Sequence, residues 1–260
     1  MKVVVKIGGA ALESKSTLAR CAESVAALNK VGDSVAVVHG GGGALTKMLS
    51  RLSKPSTFVG GLRVTDAETR DVALMVLAGL VNKRLVASLT GAGASAIGLS
   101  GGDGGSFHAR KKKTDGGDLG FVGEISSVDT RWLEAIWSQG AVPVISSIAL
   151  GEDGEYYNVN ADEMASACAV ALNVDALIFL TDVPGVKGED GCVMPFLQTS
   201  TIPQLIKSSV IAGGMLPKLE ACRAALACGV TRVRIVPAAE AHVLPDLYSS
   251  LVQSGTEVLA

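Results

Sequence analysis

The chain alternates between short, continuous apolar runs and longer segments in which apolar residues recur with helical spacing. Three consecutive valines at residues 3–5 are typical of a strand buried on both faces of a parallel sheet. The alternation of such strands with helices is typical of an α/β protein. Further strands are predicted at residues 34–38, 94–99, 142–145, 176–180 and 233–236.

Helical periodicity fills the segments between these strands. After the first strand, apolar residues fall at i, i+3, i+4 and i+7 from Leu18, which predicts a helix packed on the sheet. No internal repeat or low-complexity linker interrupts the 260 residues, so we expect one continuous domain with two lobes, residues 1–174 and 175–260. Further helices are predicted at residues 44–52, 131–137 and 203–207 and around Lys218.

One predicted helix, at residues 72–81, is apolar on nearly every side. A helix that packs on a sheet needs a single apolar stripe, so this segment is either wholly buried or in contact with a second subunit. We expect it to form the two-fold interface of a homodimer. Thr65 and Glu68 precede it with the spacing of a capping box, which predicts where the helix starts.

Extended polar segments are predicted outside the main sheet. Residues 58–64 predict a glycine-interrupted hairpin, and residues 106–113 and 121–127 predict a second hairpin whose turn is residues 115–118. Residues 155–164 predict a polar loop that enters an alanine-rich helix.

The composition is typical of a soluble globular protein, with 48% hydrophobic and 18% charged residues and a mean hydropathy of +0.39. We expect no membrane span, because no apolar run reaches that length, and no cleavable signal sequence. A net charge of −2 gives no electrostatic reason to expect nucleic acid, and the basic run at residues 110–113 is expected to be a solvated hairpin end. The five cysteines lack C-x-x-C spacing and are expected to be buried thiols in a reducing cytoplasm.

Two glycine-rich turns follow predicted strands. The first strand ends in Lys6-Ile7-Gly8-Gly9, and the second ends in His39-Gly40-Gly41-Gly42-Gly43 and leads into a helix. Glycines let backbone N–H groups approach an anion closely, and Lys6 adds a point charge. Parallel strands bring both turns to the edge of the sheet where α/β proteins bind ligands. The first turn alone also fits an ordinary tight turn, but the pair favours a phosphate site.

Six motifs, in order along the chain, resemble the motif set of the amino acid kinase family. The resemblance spans essentially the whole chain, and the third and fourth motifs are its most specific parts. It implies a three-layer αβα sandwich with a mainly parallel central sheet. The motifs are Lys6-Ile7-Gly8-Gly9, His39-Gly40-Gly41-Gly42, Gly61-Leu62-Arg63-Val64-Thr65, Asn158-Val159-Asn160-Ala161-Asp162, Asp182-Val183-Pro184-Gly185-Val186 and Gly213-Gly214-Met215-Leu216-Pro217-Lys218.

Within the family, the motifs resemble those of members that phosphorylate the γ-carboxylate of N-acetyl-L-glutamate with ATP, a step of arginine biosynthesis. The resemblance implies N-acetyl-L-glutamate and MgATP as partners, with the first lobe binding the acyl amino acid and the second binding the nucleotide. Mg²⁺ is expected to arrive on ATP, without a protein metal site. A carboxylate with a pKa near ~4 is ionised at neutral pH, so the reaction needs charge stabilisation rather than a general base.

The resemblance also implies roles for single residues. Lys6, Lys218 and Asp162 are the implied catalytic residues: the lysines stabilise the transition state and bind the nucleotide phosphates, and Asp162 orients both. Gly8 and Gly9 are implied to cradle the phosphoryl group. The other implied residues are Gly41, Gly42, Arg63 for the α-carboxylate, Asn158 and Asn160 for the substrate, and Asp182, Val183, Pro184, Gly185, Val186, Lys187, Val210, Ile211 and Ala212 for the nucleotide.

Three alternatives remain open at this stage. A family member acting on an aminoadipyl group is excluded only by the third motif, and a non-catalytic sensor on the same fold is disfavoured because both lysines and Asp162 are present. An α/β-hydrolase is possible because Gly98-Leu99-Ser100-Gly101-Gly102 matches a nucleophile elbow, with the second glycine-rich turn upstream and Asp182 and His242 downstream. The glycines after Ser100 disfavour the helix that such an elbow requires.

The resemblance leads to one expectation about regulation. Arginine-inhibited members carry an extra helix before the first strand, whereas here Lys6 already belongs to that strand. Residues 247–256 also differ from the acidic stretch typical of those members. We therefore expect a homodimer whose rate does not respond to arginine, because no second site is coupled to a second assembly state.

Overall fold

An eight-stranded sheet forms the centre of the computed structural model, which describes residues 1–114, 117–246 and 254–260. The strands are β1 (Lys2–Ile7), β2 (Ser34–His39), β3 (Phe58–Val59), β4 (Leu62–Arg63), β5 (Ala96–Leu99), β6 (Phe107–Lys111), β7 (Val122–Val128), β8 (Val142–Ser146), β9 (Ile148–Gly151), β10 (Tyr156–Val159), β11 (Ala176–Thr181), β12 (Phe196–Gln198), β13 (Arg232–Pro237) and β14 (Thr256–Leu259). Every strand predicted from an apolar run is confirmed.

The helices connect these strands and confirm the predicted alternation. A π-helical segment, Leu74–Val81, joins α4 to α5, and together they form one long helix, Ala67–Gly91. Short 3₁₀ turns lie at Asp103–Gly105, Thr199–Thr201 and Ala238–Asp246. The helices are α1 (Gly9–Glu13), α2 (Lys15–Lys30), α3 (Gly42–Arg51), α4 (Ala67–Ala73), α5 (Asn82–Gly91), α6 (Arg131–Ser138), α7 (Ala161–Ala171), α8 (Ile202–Lys207) and α9 (Met215–Ala227).

The sheet is mainly parallel, as the resemblance implies. Its strand order is β12-β14-β13-β11-β1-β2-β8-β5, and within it β13 and β14 are antiparallel while the other neighbouring pairs are parallel. Strand β1 lies in the interior, between β2 and β11, so β1 and the turn that follows it touch both halves of the chain. The division into lobes at residues 174 and 175 falls between α7 and β11 and stays a prediction.

Helices cover both faces of the sheet, which gives the three layers expected for the fold. Val4 faces a core that includes Met164 of α7, whereas Val3 faces a second core that includes Cys21 of α2 and Leu85 of α5. Neighbouring residues of β1 therefore point into different cores, as the two-residue repeat of a strand requires. All of these side chains are fully buried.

A small closed barrel of β10, β7, β6 and β9 stands beside the main sheet. Strands β6 and β7 confirm the hairpin predicted outside the sheet, and residues 115 and 116 of its turn lie outside the described residues. The prediction of a polar loop at residues 155–164 is wrong in its first part, because β10 pairs with both β7 and β9 and closes the barrel. Tyr157 and Val159 alternate with more exposed residues, which marks β10 as a half-buried strand.

The long helix begins differently from the prediction. The residue immediately before the first helical residue is Asp66, and its carboxylate accepts a hydrogen bond of 2.8 Å from the Thr69 N–H. Thr65 instead donates its hydroxyl hydrogen to the carbonyl of Arg63. The capping-box assignment to Thr65 and Glu68 is therefore wrong by one residue, since only the side chain adjacent to the first turn can reach its N–H groups.

The long helix is partly exposed, so the alternative that it is wholly buried is wrong. Met75 is 63% exposed and Leu80 is 38% exposed, whereas Val76 and Leu77 are buried. By length and composition it is the one helix in the described part of the chain that could span a membrane, with a mean hydropathy of 1.7. Its uncharged run, residues 72–82 between Asp71 and Lys83, is nevertheless shorter than a membrane span. Of its most apolar window, 44% is buried inside the molecule, and core helices of soluble proteins have the same composition.

The expectations for the cysteines and for the basic run are confirmed in part. Cys21, Cys168 and Cys222 are buried as expected, but Cys192 and Cys228 are exposed. The basic run pairs with carboxylates, Arg110 with Glu124, Lys111 with Asp118 and Lys112 with Glu163, as expected for a hairpin end. Residues 247–253, which carry most of the carboxyl-terminal difference noted above, lie outside the described residues.

Candidate functional site

Two lysines from distant parts of the chain meet at one buried carboxylate. Lys6 lies near the end of β1, Lys218 lies in the first turn of α9, and Asp162 lies in the first turn of α7. Lys6 Nζ is 2.8 Å from Asp162 Oδ1, and Lys218 Nζ is 3.1 Å from both oxygens of that carboxylate. Each of the three side chains is 8–9% exposed. The structure thus brings together the three residues predicted to be catalytic.

This cluster contains two ammonium groups and one carboxylate, so it carries a net positive charge when all three are ionised. Burial opposes ionisation of Asp162, but the charges of Lys6 and Lys218 outweigh it and hold the pKa of the carboxyl below its ordinary value. Burial lowers the pKa of the Lys6 ammonium, and the neighbouring Lys218 charge adds to this effect against the attraction of Asp162. An incoming phosphate would supply the missing negative charge, so the cluster is suited to an anion.

Asn160 fixes the turn that carries Asp162. Its side-chain oxygen accepts hydrogen bonds from the N–H groups of Asp162 (2.8 Å) and Glu163 (3.3 Å), so it is the N-cap of α7. The cap holds the first turn of α7 next to the ends of β1 and α9. Capping, the simpler explanation of the Asn-x-Asn-x-Asp motif, is therefore observed for Asn160, while its implied contact with substrate stays a prediction.

The two glycine-rich turns lie side by side, as predicted. A β-carbon added to Gly9 would lie 3.7 Å from Gly42 N and 3.8 Å from Gly41 N. The N–H groups of Gly9, Gly41 and Gly42 donate no hydrogen bond to any residue that the structure describes, so they are open to an anion. Gly8 differs, because its N–H donates to the carbonyl of Leu180 at 2.9 Å. Its contribution is therefore to position the turn, and Gly9 supplies the open donor.

Arg63 is a buried cation without a carboxylate partner among the described residues. Its guanidinium donates to Ser56 Oγ (2.5 Å), Thr46 Oγ1 (2.7 Å) and the carbonyl of Gly42 (3.1 Å), and it stacks 4.6 Å from the Phe58 ring. Burial lowers its pKa from the ordinary value. A guanidinium has more donors than these three bonds use, and its charge is uncompensated, so an anionic ligand beside it would be stabilised.

A cavity of about 180 Å³ lies next to Arg63 and the second glycine-rich turn. All five residues predicted to bind substrate line it: Gly41, Gly42, Arg63, Asn158 and Asn160. These residues come from three separate segments of the chain, so their convergence is a property of the fold. Asn158 Nδ2 lies 3.4 Å from Thr65 Oγ1, which leaves its side-chain oxygen without a partner in the described chain.

A larger cavity, of about 760 Å³, lies between α7 and α9. It shares Gly61, Leu62 and Asn160 with the smaller cavity, and neither Lys6 nor Lys218 lines either of the two. Its walls are mainly apolar. Its three acidic residues are all paired with cations, Glu124 with Arg110, Glu163 with Lys112 and Glu220 with Arg223. The buried Arg63, which has no acidic partner among the described residues, lines the smaller cavity and not this one.

The predicted nucleotide segments lie at the carboxyl end of β11 and just before α9. Val186 and Ile211 are 1% and 3% exposed and pack into the same core, so they can offer a nucleotide only backbone groups. Asp182 and Lys187 are exposed. In the described residues no group of three or more His, Cys, Asp or Glu could hold a metal ion. The nucleotide contacts stay predictions.

The α/β-hydrolase alternative is wrong because no elbow forms at Ser100. Its N–H and hydroxyl both donate to the carboxylate of Asp103, at 2.6 and 2.8 Å, and a 3₁₀ turn and strand β6 follow instead of a helix. The glycines of the motif have packing roles. A β-carbon at Gly98 would lie 1.9 Å from Asn82 Oδ1, and one at Gly101 would lie 2.7 Å from backbone atoms of Ala149 and Phe107.

Two polar residues near the site were missed by the sequence reasoning. Ser147 lines the smaller cavity and directly follows β8, at the same edge of the sheet as the glycine-rich turns. Its position after a buried strand was the signal that could have found it. Asn82 is fully buried against His39 and directly follows the apolar segment 72–81. A buried amide needs hydrogen-bond partners, so its position after an apolar segment was the signal that could have found it.

Comparison with known proteins gives related sequences over the whole chain. A family model described as the amino acid kinase family matches residues 1–237. The chain is 65% identical to an acetylglutamate kinase of Acidobacterium capsulatum, with 100% of each chain covered, and 54% identical to one of Koribacter versatilis, covering 100% of this chain and 99% of that one. It is also similar to the solved structure of N-acetylglutamate synthase from Neisseria gonorrhoeae in complex with coenzyme A and N-acetyl-glutamate, with a TM-score of 0.88, 25% identity and coverage of 100% of this chain and 59% of that one.

Proposed function

The chain belongs to the amino acid kinase family, and on that premise we propose that it phosphorylates the γ-carboxylate of N-acetyl-L-glutamate with ATP, the activity of an acetylglutamate kinase in arginine biosynthesis. The observation that carries this proposal is the smaller cavity. Its buried, uncompensated Arg63 lies beside open glycine N–H groups, and the two lysines converge on Asp162 near the adjoining turn.

Different residues of the cavity bind different groups of the substrate. Arg63 holds the α-carboxylate, since its guanidinium is the buried cation that lacks an acidic partner among the described residues. The free side-chain oxygen of Asn158 faces the acylated amide N–H of the substrate. The open N–H groups of Gly41 and Gly42 are directed to the γ-carboxylate and the phosphoryl group. The protein thus binds the substrate at both ends, through its α-carboxylate and through its γ-carboxylate.

The reaction requires charge stabilisation more than proton transfer. The γ-carboxylate is already ionised at neutral pH and attacks without a general base. ATP supplies the phosphoryl group, and Mg²⁺ is proposed to arrive bound to ATP. Lys6 and Lys218 stabilise the negative charge that spreads over the transferring group, and Asp162 holds both ammonium groups in place. Gly9 adds an N–H donor from the first turn.

We propose that the nucleotide is bound by residues 182–187 and 210–212 together with Lys6 and Lys218. The first segment follows β11 and the second precedes α9, so both lie at ends of elements that lead toward the lysine cluster. The buried side chains of Val186 and Ile211 anchor these segments and leave their backbones to contact the base and ribose. The protein is further proposed to be a cytoplasmic homodimer that associates through the exposed residues of the long helix.

An assay of ADP release over a substrate panel tests the proposed activity. The panel contains N-acetyl-L-glutamate, N-acetyl-L-2-aminoadipate, N-acetyl-L-aspartate, L-glutamate and carbamate, each with MgATP. We expect the highest kcat/KM for N-acetyl-L-glutamate, and we expect hydroxylamine to trap an acyl phosphate as its hydroxamate. A higher kcat/KM for the aminoadipate compound would assign the chain to that branch instead. The absence of substrate-dependent ADP release would refute the kinase proposal.

A further inference from the structure

His39 is a buried histidine that no step of the proposed reaction uses. It ends β2, directly before the second glycine-rich turn, and its side chain is 0% exposed. Its Nδ1 lies 2.8 Å from the carbonyl oxygen of Gly40, and its Nε2 lies 3.1 Å from Nδ2 of Asn82. Both ring nitrogens are therefore within hydrogen-bond distance of a fixed partner.

The orientation of the Asn82 amide follows from its other neighbours. Its Nδ2 lies 2.9 Å from the carbonyl of Val144, a group that can only accept a hydrogen bond. Its Oδ1 lies 3.2 Å from Lys83 Nζ, a group that can only donate, and Lys83 is held in turn by the carbonyl of Gly98 at 3.2 Å. The reversed amide would place its oxygen against the Val144 carbonyl, two acceptors, and its NH₂ group against the Lys83 ammonium, two donors. The NH₂ group of Asn82 therefore faces His39.

This orientation selects one form of the histidine. Because Asn82 donates to Nε2, that nitrogen carries no hydrogen, so the ring hydrogen is on Nδ1 and is donated to the Gly40 carbonyl. Burial lowers the pKa of His39 to about 4 in spite of the Gly40 hydrogen bond, and the nearby charges of Lys6 and Lys83 act in the same direction as burial. The neutral Nδ1–H form therefore persists at neutral pH.

The hydrogen bond to Gly40 determines the direction of a donor in the cavity. The carbonyl of Gly40 and the N–H of Gly41 belong to one trans peptide unit, in which they point in opposite directions. Holding the carbonyl toward His39 turns the N–H away from it. Gly41 has φ +153°, and a β-carbon there would lie 2.8 Å from Leu77 Cδ2 of the long helix. The same helix thus holds this peptide through Leu77 and through Asn82.

We propose that Asn82 and His39 are positioning residues: Asn82 selects the Nδ1–H form of His39, and His39 fixes the Gly40–Gly41 peptide so that the Gly41 N–H is presented to the anionic substrate. The proposal rests on the proposed function, because it gives that N–H a role in the kinase reaction. Its structural part stands on the hydrogen-bond distances around Asn82 and His39 and can be measured without any substrate.

The form of the histidine is measured directly by NMR of protein labelled with ¹⁵N-histidine. The chain contains three histidines, His39, His108 and His242, and single substitutions of His108 and His242 assign the signals. We expect the His39 ring to be neutral, with its hydrogen on Nδ1, and to show no titration between about pH 5.5 and 8. A hydrogen on Nε2, or titration within that range, would overturn the proposal. This result is independent of whether the protein is a kinase.

The catalytic consequence is tested with Asn82→Asp. A carboxylate can only accept, so the variant requires a hydrogen on Nε2. At high pH the neutral ring then gives up its bond to Gly40, whereas at low pH a protonated ring donates from both nitrogens and keeps it. We expect kcat of the variant relative to the parent to fall about 10- to 100-fold at pH 8, the scale of a misdirected backbone donor, and to recover as the pH is lowered to about 6.

A matched control and a second variant complete the test. Arg84→Ala changes an exposed residue two positions along the same helix and should leave kcat unchanged. Lys83→Met, also at an exposed position, removes the donor that fixes Asn82 Oδ1 and should lower kcat less than Asn82→Asp does, by a few-fold. A kcat ratio for Asn82→Asp that is unchanged or independent of pH would overturn the proposal. A parent protein without kinase activity but with the Nδ1–H form of His39 would refute the proposed function and leave the structural part standing.

Discussion

Lys6 and Lys218 share one carboxylate, so the charge of the cluster depends on both of them. If either lysine is removed, the other ammonium and Asp162 form a neutral pair, and the attraction for a phosphate is lost. We predict that Lys6→Ala and Lys218→Ala each lower kcat on the order of 10²-fold or more while changing KM for N-acetyl-L-glutamate little. Steady-state kinetics measures both constants. Lys47→Ala, at an exposed lysine of α3, is the control, and a near-normal kcat in either variant would make that lysine structural.

Arg63 makes its contacts through a planar group that a lysine cannot imitate. One guanidinium reaches Ser56, Thr46 and the Gly42 carbonyl while stacking on Phe58. We predict that Arg63→Lys raises KM for N-acetyl-L-glutamate about tenfold or more with a smaller change in kcat, because a point charge loses the two-donor contact with a carboxylate. The control is Arg51→Lys, at the exposed end of α3. An unchanged KM for Arg63→Lys would move the α-carboxylate site elsewhere.

For single residues of the site, the sequence predicted which ones converge but not which hydrogen bonds they form. The lysines, Asp162 and Arg63 could be named because their motifs require charge at fixed places along the chain. That the Gly8 N–H is used by Leu180 could not be foreseen, because it depends on how β11 ends beside β1. Asn82 was missed for a similar reason, since its partners His39 and Val144 come from two other strands.

The N-cap of the long helix determines a measurable share of its stability. Asp66 accepts from the Thr69 N–H and pairs with Lys54, and these hydrogen bonds, led by that of Lys54, lower its pKa to about 2 from 3.8. We predict that Asp66→Ala lowers the free energy of unfolding by about 1 kcal/mol at pH 7. Urea titration by circular dichroism measures it. Asp71→Ala, at an exposed position of the same helix, should change it by less than about 0.5 kcal/mol.

The pH dependence of this effect has a definite sign. Because the pKa of Asp66 is lower in the folded state than in the unfolded state, the stabilisation is fully present above the ordinary pKa of 3.8 and is lost as the pH falls toward 2. The difference between parent and Asp66→Ala should therefore be smaller at about pH 3 than at pH 7. A difference that grows toward low pH would contradict this account of the cap. The one-residue error in our sequence prediction arose because Thr65 and Asp66 are both good caps and only the turn geometry chooses between them.

The association of whole molecules depends on the exposed side of the long helix. Met75 and Leu80 expose apolar surface next to Leu74 and Ala78, which are half-buried. We predict that light scattering finds a particle of twice the 26.5 kDa chain mass, and that the double substitution Met75→Glu, Leu80→Glu yields the monomer, because burying two carboxylates at a two-fold interface is unfavourable. Leu52→Glu, at the exposed leucine that directly follows α3, should leave the mass unchanged. A parent that is already monomeric would refute the dimer.

The main sheet was predictable from the sequence because most of its longer strands contain a run of consecutive apolar residues, whereas the closure of the barrel by β9 and β10 was not. Strands β9 and β10 are four residues each, and their partners are set by how the hairpin folds back on the sheet. Short half-buried strands have too few alternating positions to be told from loops. The exposed face of the long helix was predictable only as one of two alternatives, since composition does not say which apolar side is covered.

The interior position of β1 has a consequence for the order in which the protein is made. One edge of β1 pairs with β2, which follows closely, but the other edge waits for β11, and Lys2 and Asp175, which share a hydrogen bond beside that edge, are 173 positions apart. On the ribosome this edge therefore stays open for most of synthesis, exposed to mispairing with other chains. Asp162 and Lys218 appear late as well, so a nascent chain has no binding site until α9 has emerged. We expect nascent chains to depend on protection of that edge more than on any early folding unit.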